Sequence, residues 1–266
     1  FEPGHLVALK GIEELRGVRI DDGHLRIGAA ETISHVASNP EVLNRFPALA
    51  DAAGHIAGPQ LRNSGTIGGN LCLDTRCTYY NQTAFWREAL GYCLKKDGDV
   101  CHVIRVGKKC VAAHSADTPP VLMTLDAVAT LVGPDGQRSV PVRDFHCLPG
   151  DTPWIENVLE PGEIITGIIL PAPVGGTQIY RKVRERSSYA FALVSVAAII
   201  ELIDGKFSRA DLAFGGLAHK PWHDPGVGEA LIGPPLRDML DQDEEASRQV
   251  VAGLLPYFLL KAERGQ

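Results

Sequence analysis

Apolar residues recur along this chain with two distinct periods, and one long stretch shows neither. Residues 24–29, His-Leu-Arg-Ile-Gly-Ala, alternate polar and apolar, which predicts a strand. Glu31 and Thr32 then open a predicted helix that runs to about Ser38. From residue 40 to 56, apolar positions at Val42, Leu43, Phe46, Leu49, Ala52 and Ala53 follow the helical period. They predict a helix with one buried face, kinked or broken near its middle by Pro47. Gly58-Pro59 interrupts the pattern, and residues 60–70 are small and polar. Between residues 75 and 115 no period survives: Tyr79, Tyr80, Phe85 and Trp86 are followed by cysteines, lysines and glycines. A stretch of that length without regular structure is uncommon unless something pins it, and bound metal is the expected pin.

Regular structure resumes at Thr118-Pro119-Pro120, a helix start, with Val121, Leu122, Leu125 and Val128 behind it. Residues 128–132 and 139–142 flank Gly133-Pro134-Asp135-Gly136, a hairpin signal. Residues 163–170 read as another strand, and residues 171–176 are the best linker candidate. Beyond it, residues 178–183, 190–202 and 208–214 read as strands, with Asp204-Gly205 as a hairpin turn. Residues 244–263 read as a helix. Strands and helices in separate runs predict an α+β fold.

Composition excludes several functions. The chain has 266 residues, 45% hydrophobic and 22% charged, the balance of a soluble globular protein. Its net charge of −6, from 26 basic and 32 acidic residues, argues against a nucleic-acid-binding surface. No apolar run reaches the length of a membrane span, and Phe1-Glu2-Pro3-Gly4 does not resemble a signal peptide.

Cysteine placement changes the picture. Of six cysteines, Cys77, Cys93, Cys101 and Cys110 are separated by 15, 7 and 8 residues, all within the irregular stretch. Thiolates suit zinc, copper(I) and iron–sulfur clusters, and four of them close one tetrahedral zinc or one [4Fe–4S] cube. Structural zinc usually shows two close Cys pairs; only Cys72 and Cys77 make one, so zinc remains a rival. His102 is an alternative ligand beside Cys101. Cys72 and Cys147 read as core thiols.

The second chemical signal is Ser64-Gly65-Thr66-Ile67-Gly68-Gly69-Asn70. Adjacent glycines let the backbone approach a ligand closely, and successive N–H groups can cradle phosphate or ribityl oxygens. Thr66 and Asn70 add side-chain donors. The motif is neither a dinucleotide fingerprint nor a P-loop.

Residues 61–70, Leu-Arg-Asn-Ser-Gly-Thr-Ile-Gly-Gly-Asn, resemble the second flavin-binding motif of the medium subunits in the xanthine dehydrogenase family of molybdenum hydroxylases. The insert, with residues 74–82, 92–95 and 101–104, resembles the β subunits of the 4-hydroxybenzoyl-CoA reductase branch, in which four cysteines at this spacing bind a [4Fe–4S] cluster. Residues 216–222, Gly-Leu-Ala-His-Lys-Pro-Trp, are similar to an aldehyde oxidoreductase branch.

The resemblance implies an FAD-binding domain of the vanillyl-alcohol-oxidase/PCMH type over residues 1–171. An iron–sulfur insertion would occupy about 75–115, and a smaller α+β domain of the CO dehydrogenase flavoprotein type would follow over 176–266. It implies FAD contacts from Thr66, Ile67, Gly68, Gly69 and Asn70, from Asp117 on the ribityl chain and from Lys182 near the isoalloxazine ring. Cys77, Cys93, Cys101 and Cys110 become the cluster ligands. The expected partners are a large molybdenum-cofactor subunit, a small subunit with two [2Fe–2S] clusters, and a soluble carrier such as ferredoxin. The chain would then be an electron relay with no substrate chemistry of its own, in a 4-hydroxybenzoyl-CoA reductase-like complex or alternatively an aldehyde or N-heterocycle dehydrogenase. A structural-zinc assembly scaffold is the rival of another class. An earlier glycine-rich FAD loop of the family is not found in this sequence. A thiolate-rich loop suits the cytoplasm, with the periplasm as the alternative.

Overall fold

In the computed structural model, which describes residues 4–173 and 175–232, Asp22 and Gly23 adopt φ of 48° and 78°. That two-residue turn joins β1 (Val18–Asp21) to β2 (His24–Gly28). Strand β1 is an addition to the expected elements; Val18-Arg19-Ile20-Asp21 alternates apolar and polar residues over only four positions, most of them exposed, and the Asp-Gly turn marks its end. Helix α1 (Ile33–Ser38) begins where expected, with the Thr32 hydroxyl accepting from His35 N–H at 3.2 Å.

The helix expected over 40–56 is in fact two, α2 (Pro40–Arg45) and α3 (Pro47–Gly54). Phe46 leaves the helical region, with φ −136° and ψ 57°, and Pro47 takes the first turn of α3, where its missing N–H costs nothing. Residues 60–70 also form two short helices, α4 (Pro59–Ser64) and α5 (Ile67–Leu71), hinged at Gly65. Neither is long enough to show an amphipathic period. Their start signals are Pro59 and Thr66, whose hydroxyl accepts from Gly69 N–H at 3.1 Å.

After α6 (Ala84–Ala89) come α7 (Thr118–Thr124), β3 (Val128–Gly133), β4 (Gly136–Pro141) and β5 (Ile164–Leu170). The first sheet has the order β1-β2-β5-β3-β4 and is antiparallel throughout. A second antiparallel sheet has the order β6-β7-β8-β9, from β6 (Thr177–Val183), β7 (Val194–Ile203), β8 (Lys206–Gly215) and β9 (Trp222–His223). Helix α8 (Pro225–Glu229) packs on β8. The expected strand over 190–202 starts only at Val194, because residues 190–193 leave the ladder and border a cavity. The helix expected over 244–263 lies outside the described residues.

One apolar core joins the helices to both sheets. Phe46, Leu49, Leu71, Leu122, Met123 and Phe145 are fully buried, and Tyr180, Ala197, Ile199 and Ala213 reach the same cluster from the second sheet. Helix α7 is buried along its whole length between them.

The insert is pinned by polar chemistry of its own. Its neck is zipped where Arg76 and Ala113 exchange backbone hydrogen bonds of 2.7 and 3.0 Å. Lys95 is 3% exposed and ion-paired with buried Glu156; its ammonium also donates to Thr75 Oγ1 at 3.0 Å and the Pro153 carbonyl at 2.7 Å. Thr75 donates to the same Glu156 oxygen through its N–H, at 3.2 Å, and its hydroxyl, at 2.9 Å.

Three buried histidines stand beside this clamp. His114 and His146 meet edge to face at 4.5 Å. His219 Nε2 lies 3.8 Å from Glu156 Oε2, beyond hydrogen-bond reach. Burial pushes His146 and His219 down to about 4 and His114 well below its ordinary value, so the three are neutral near pH 7. The unfolded chain titrates its histidines near 6.5 and therefore holds more protons than the native state between pH 6.5 and about 4. Stability is present above that window and is lost as pH falls through it, by about 1.4 kcal/mol per pH unit for each histidine. Thermal unfolding across this range is expected to show that slope, and His219→Gln should flatten it; an unaltered slope in the variant would refute the assignment.

Candidate functional site

A cavity of about 1320 Å³ opens beside α5, lined by Thr66, Gly69 and Asn70, by Asp117 and Lys182, and by residues 189–193. Helix α5 is seated by close backbone approach. A Cβ on Gly68 would lie 2.9 Å from both the Cβ and the carbonyl oxygen of Ala29, so only glycine fits there. The N–H groups of Ile67 and Gly68 bond to the carbonyls of Glu31 (3.0 Å) and Ala29 (2.9 Å), and both residues are buried. Among the five turn residues, Thr66, Gly69 and Asn70 therefore border the cavity, whereas Ile67 and Gly68 hold the turn from behind. Asn70 Oδ1 accepts from Thr118 Oγ1 at 2.6 Å and Thr118 N–H at 3.3 Å, tying α5 to α7.

Asp117 and Lys182, read separately in the sequence, meet here. Asp117 sits at the α7 N-cap position, yet its carboxylate makes no cap hydrogen bond. Instead Oδ2 accepts from Lys182 Nζ at 2.8 Å and Oδ1 from the Tyr180 hydroxyl at 2.5 Å. Lys182 Nζ also donates to the His55 carbonyl at 3.3 Å. The pair is almost fully enclosed, with side chains 1% and 5% exposed. Burial pushes the Asp117 carboxyl up, and Lys182 and Tyr180 oppose that shift. The Tyr180 phenol is driven far up by burial and by the adjacent carboxylate. Tyr180 escapes the sequence reading, although it lies two residues before Lys182 and so shares its strand face. Ser115 Oγ, also bordering the cavity, is buried without a hydrogen-bond partner, as is Arg76 Nε. A close-approach glycine turn, a buried cation and orphaned polar atoms around one large cavity fit a dinucleotide-sized flavin.

The cysteines are arranged differently from expectation. Among the described residues, no group of three or more His, Cys, Asp or Glu side chains is disposed to hold a metal ion. The ligand set Cys77, Cys93, Cys101 and Cys110 is thus not assembled, because each segment closes its own turn. The Cys93 carbonyl accepts from Lys96 and Gly98 N–H; Cys101 Sγ accepts from Ile104 N–H and Cys110 Sγ from Ala112 N–H, each at 3.5 Å. Cys93, Cys101 and Lys95 remain electrostatic neighbours of Cys110, whose thiol is pushed up chiefly by burial. Burial likewise pushes Cys72 up to about 11, consistent with a packed thiol against the core. His102 is engaged with the Tyr92 carbonyl at 2.6 Å.

Residues 1–173 match the family described as the FAD binding domain in molybdopterin dehydrogenase. The chain belongs to that family. Residues 178–254 match the CO dehydrogenase flavoprotein C-terminal domain. Among relatives of this FAD-binding oxidoreductase subunit, the aldehyde oxidoreductase FAD-binding subunit PaoB of Escherichia coli (strain K12) is 42% identical over 226 residues, 83% of this chain and 70% of the relative. The carbon monoxide dehydrogenase medium chain of Afipia carboxidovorans is 26% identical over 235 residues, 88% of this chain and 66% of the relative. The fold superposes on a Cu,Mo-CO dehydrogenase crystal structure with a TM-score of 0.65 at 25% identity, covering 92% of this chain and 68% of that one.

Proposed function

We propose that this chain binds FAD in the cavity between α5 and residues 182–193 and serves as the electron-relay subunit of an aldehyde-oxidising molybdenum hydroxylase. The buried Asp117–Lys182 pair beside the Gly68-Gly69 turn carries the reading. Similarity to an aldehyde oxidoreductase subunit favours the aldehyde branch, and the 4-hydroxybenzoyl-CoA reductase assignment gives way to it. A scaffold without redox work finds no support in a chain of this family.

Thr66, Gly69 and Asn70 would hold the polar middle of FAD, with Asp117 and Lys182 further along the cavity toward the ring. When bound, FAD accepts electrons in pairs or singly, whereas iron–sulfur clusters pass them one at a time. The residues of this chain orient the cofactor: Lys182 supplies a fixed, enclosed positive charge, Asp117 holds that charge in place, and Tyr180 fixes the carboxylate. Substrate would react in a large molybdenum-cofactor subunit, and a small subunit with two [2Fe–2S] clusters would carry electrons here. A FAD-binding domain through residue 171 and a C-terminal domain from 176 complete the assignment. Among the described residues no helix is long and apolar enough to cross a membrane, and the cytoplasm is the proposed compartment.

A [4Fe–4S] cluster on Cys77, Cys93, Cys101 and Cys110, facing a carrier such as ferredoxin, is the second reading, favoured by the electrostatic proximity of Cys93, Cys101 and Cys110. Flavin, iron, acid-labile sulfide and zinc per chain, measured on the complex purified without oxygen, test both readings. One FAD per chain is expected, and its absence would overturn the relay. Four irons and four sulfides lost in Cys93→Ser are expected for the cluster; unchanged iron, or one zinc instead, would overturn it.

A further inference from the structure

The wall of the large cavity does not stop at α5. Asn70, Leu73, Arg76 and Thr78 border it in turn, so the chain carries the wall from the glycine turn into the insert. Arg76 is fixed there from two directions. Its backbone exchanges hydrogen bonds of 2.7 and 3.0 Å with Ala113 across the neck, and the preceding Thr75 is locked into the Lys95–Glu156 clamp. At an antiparallel bridge consecutive side chains leave the backbone on opposite sides. Thr75 therefore serves the clamp, and Arg76 serves the cavity.

Among the described residues, nothing satisfies this guanidinium. Its Nε is buried without a hydrogen-bond partner, and it has no ion pair with a carboxylate. Its carbon lies 5.8 Å from the centre of the Phe191 ring. Such stacking engages the face of a guanidinium and leaves its in-plane N–H groups free for an anion. The other cations on the border of the cavity are placed differently. Lys182 is paired with Asp117, Arg186 donates to the Tyr189 carbonyl, and Lys10 is exposed. Burying a guanidinium nitrogen with no partner is costly, and a bound anion offsets that cost.

We propose that Arg76 is a cofactor-binding residue supplied by the insert, its guanidinium bonding the diphosphate of FAD beside Thr66, Gly69 and Asn70. The proposal rests on the reading of this cavity as the FAD site. The diphosphate is the part of FAD that is anionic in both the oxidised and the reduced cofactor, and the forked N–H groups of arginine match phosphate oxygens in pairs. The α5 turn offers only neutral donors, from its backbone, the Thr66 hydroxyl and the Asn70 amide; Arg76 adds the charge that they lack. The insert is then part of the flavin site, because the residue before Cys77 holds the cofactor.

The test uses the whole complex and first measures FAD binding by the parent, since a parent that binds none fails the site reading itself. Flavin-depleted parent, Arg76→Met and Arg76→Lys complexes are then titrated with FAD and with riboflavin, which has the ring and ribityl chain but no phosphate. Flavin midpoint potential and iron per chain are recorded alongside. Arg76→Met should raise the Kd for FAD about tenfold to a hundredfold, the range for one hydrogen-bonded charge, with riboflavin affinity, potential and iron at parental values. Arg76→Lys should recover part of the affinity, because it restores the charge without the fork. Parental FAD affinity in Arg76→Met would overturn the proposal. Equal weakening of FAD and riboflavin would do so too, by reducing Arg76 to a residue that shapes the wall. A lowered potential at parental affinity would move the guanidinium to the ring, and loss of iron together with flavin would make it a support of the insert; either result overturns the diphosphate assignment.

Discussion

Replacing Lys182 with methionine is expected to lower FAD affinity by about tenfold to a hundredfold, the range set by losing one hydrogen bond to a charged group. The side chain is 1% exposed and its ammonium bridges Asp117 and the His55 carbonyl, a carbonyl that Arg184 also bonds without pairing with Asp117. Removing it leaves a buried carboxylate without its counter-charge. Because burial already pushes the Asp117 carboxyl up, the variant should relieve that cost by taking up a proton, and its stability should fall as pH rises through the raised folded value. Lys182→Arg should not rescue, because a planar guanidinium does not fit where an ammonium is enclosed. The combined variant Asp117→Asn, Lys182→Met distinguishes structure from binding. It should regain most of the unfolding temperature, since no buried charge is left unpaired, but not the affinity. Flavin titration beside thermal unfolding checks both; recovery of affinity in the double variant would show that the pair only holds the domains together.

How much of this was legible in the sequence depends on distance along the chain. Turns announce themselves locally: Asp204-Gly205, with φ of 50° and 74°, and the Pro134-Asp135 loop between Gly133 and Gly136 form where their residue types predict. Thr32 and Pro47 likewise mark helix starts, although Pro47 ends one helix and begins another where a kink was the alternative. The resemblance singled out Asp117 and Lys182, but not that they bond to each other, because 65 residues separate them and no local period joins a helix cap to a strand. Tyr180 was within reach, since Tyr180 and Lys182 share one face of β6. The left-handed backbone of Tyr189 was not, because nothing in Ser-Tyr-Ala specifies it; the contacts of Arg186 and Ala57 do. In the insert, the irregular stretch and its cysteines suggested metal as the pin, whereas the structure shows Lys95 paired with Glu156, two residues far apart in the chain that no local pattern joins.

That lysine gives the largest stability effect expected in the molecule. Lys95→Met should destabilise the protein by about 3–5 kcal/mol, the cost of leaving one member of a buried ion pair without the other. Glu156 is 8% exposed, and its second oxygen has no hydrogen-bond partner, so the remaining carboxylate would find little compensation. Thr75 would still donate to it twice, which places the loss toward the lower end of that range. Glu156→Gln should cost less than Lys95→Met, because an amide oxygen keeps the Thr75 contacts and an ammonium can still donate to Thr75 and the Pro153 carbonyl. The double variant Lys95→Met, Glu156→Leu should lie close to the parent, since replacing a buried pair with apolar groups of similar size is often neutral. Because Lys95 and Pro153 clamp the insert to the body from one side and Arg76 with Ala113 from the other, the single variant should also expose residues 75–115 to proteolysis before global unfolding. Denaturant unfolding of the three variants, with limited proteolysis alongside, measures both effects. A single-variant loss under about 1 kcal/mol, equivalent to a surface pair, would show that the insert is held mainly by its neck.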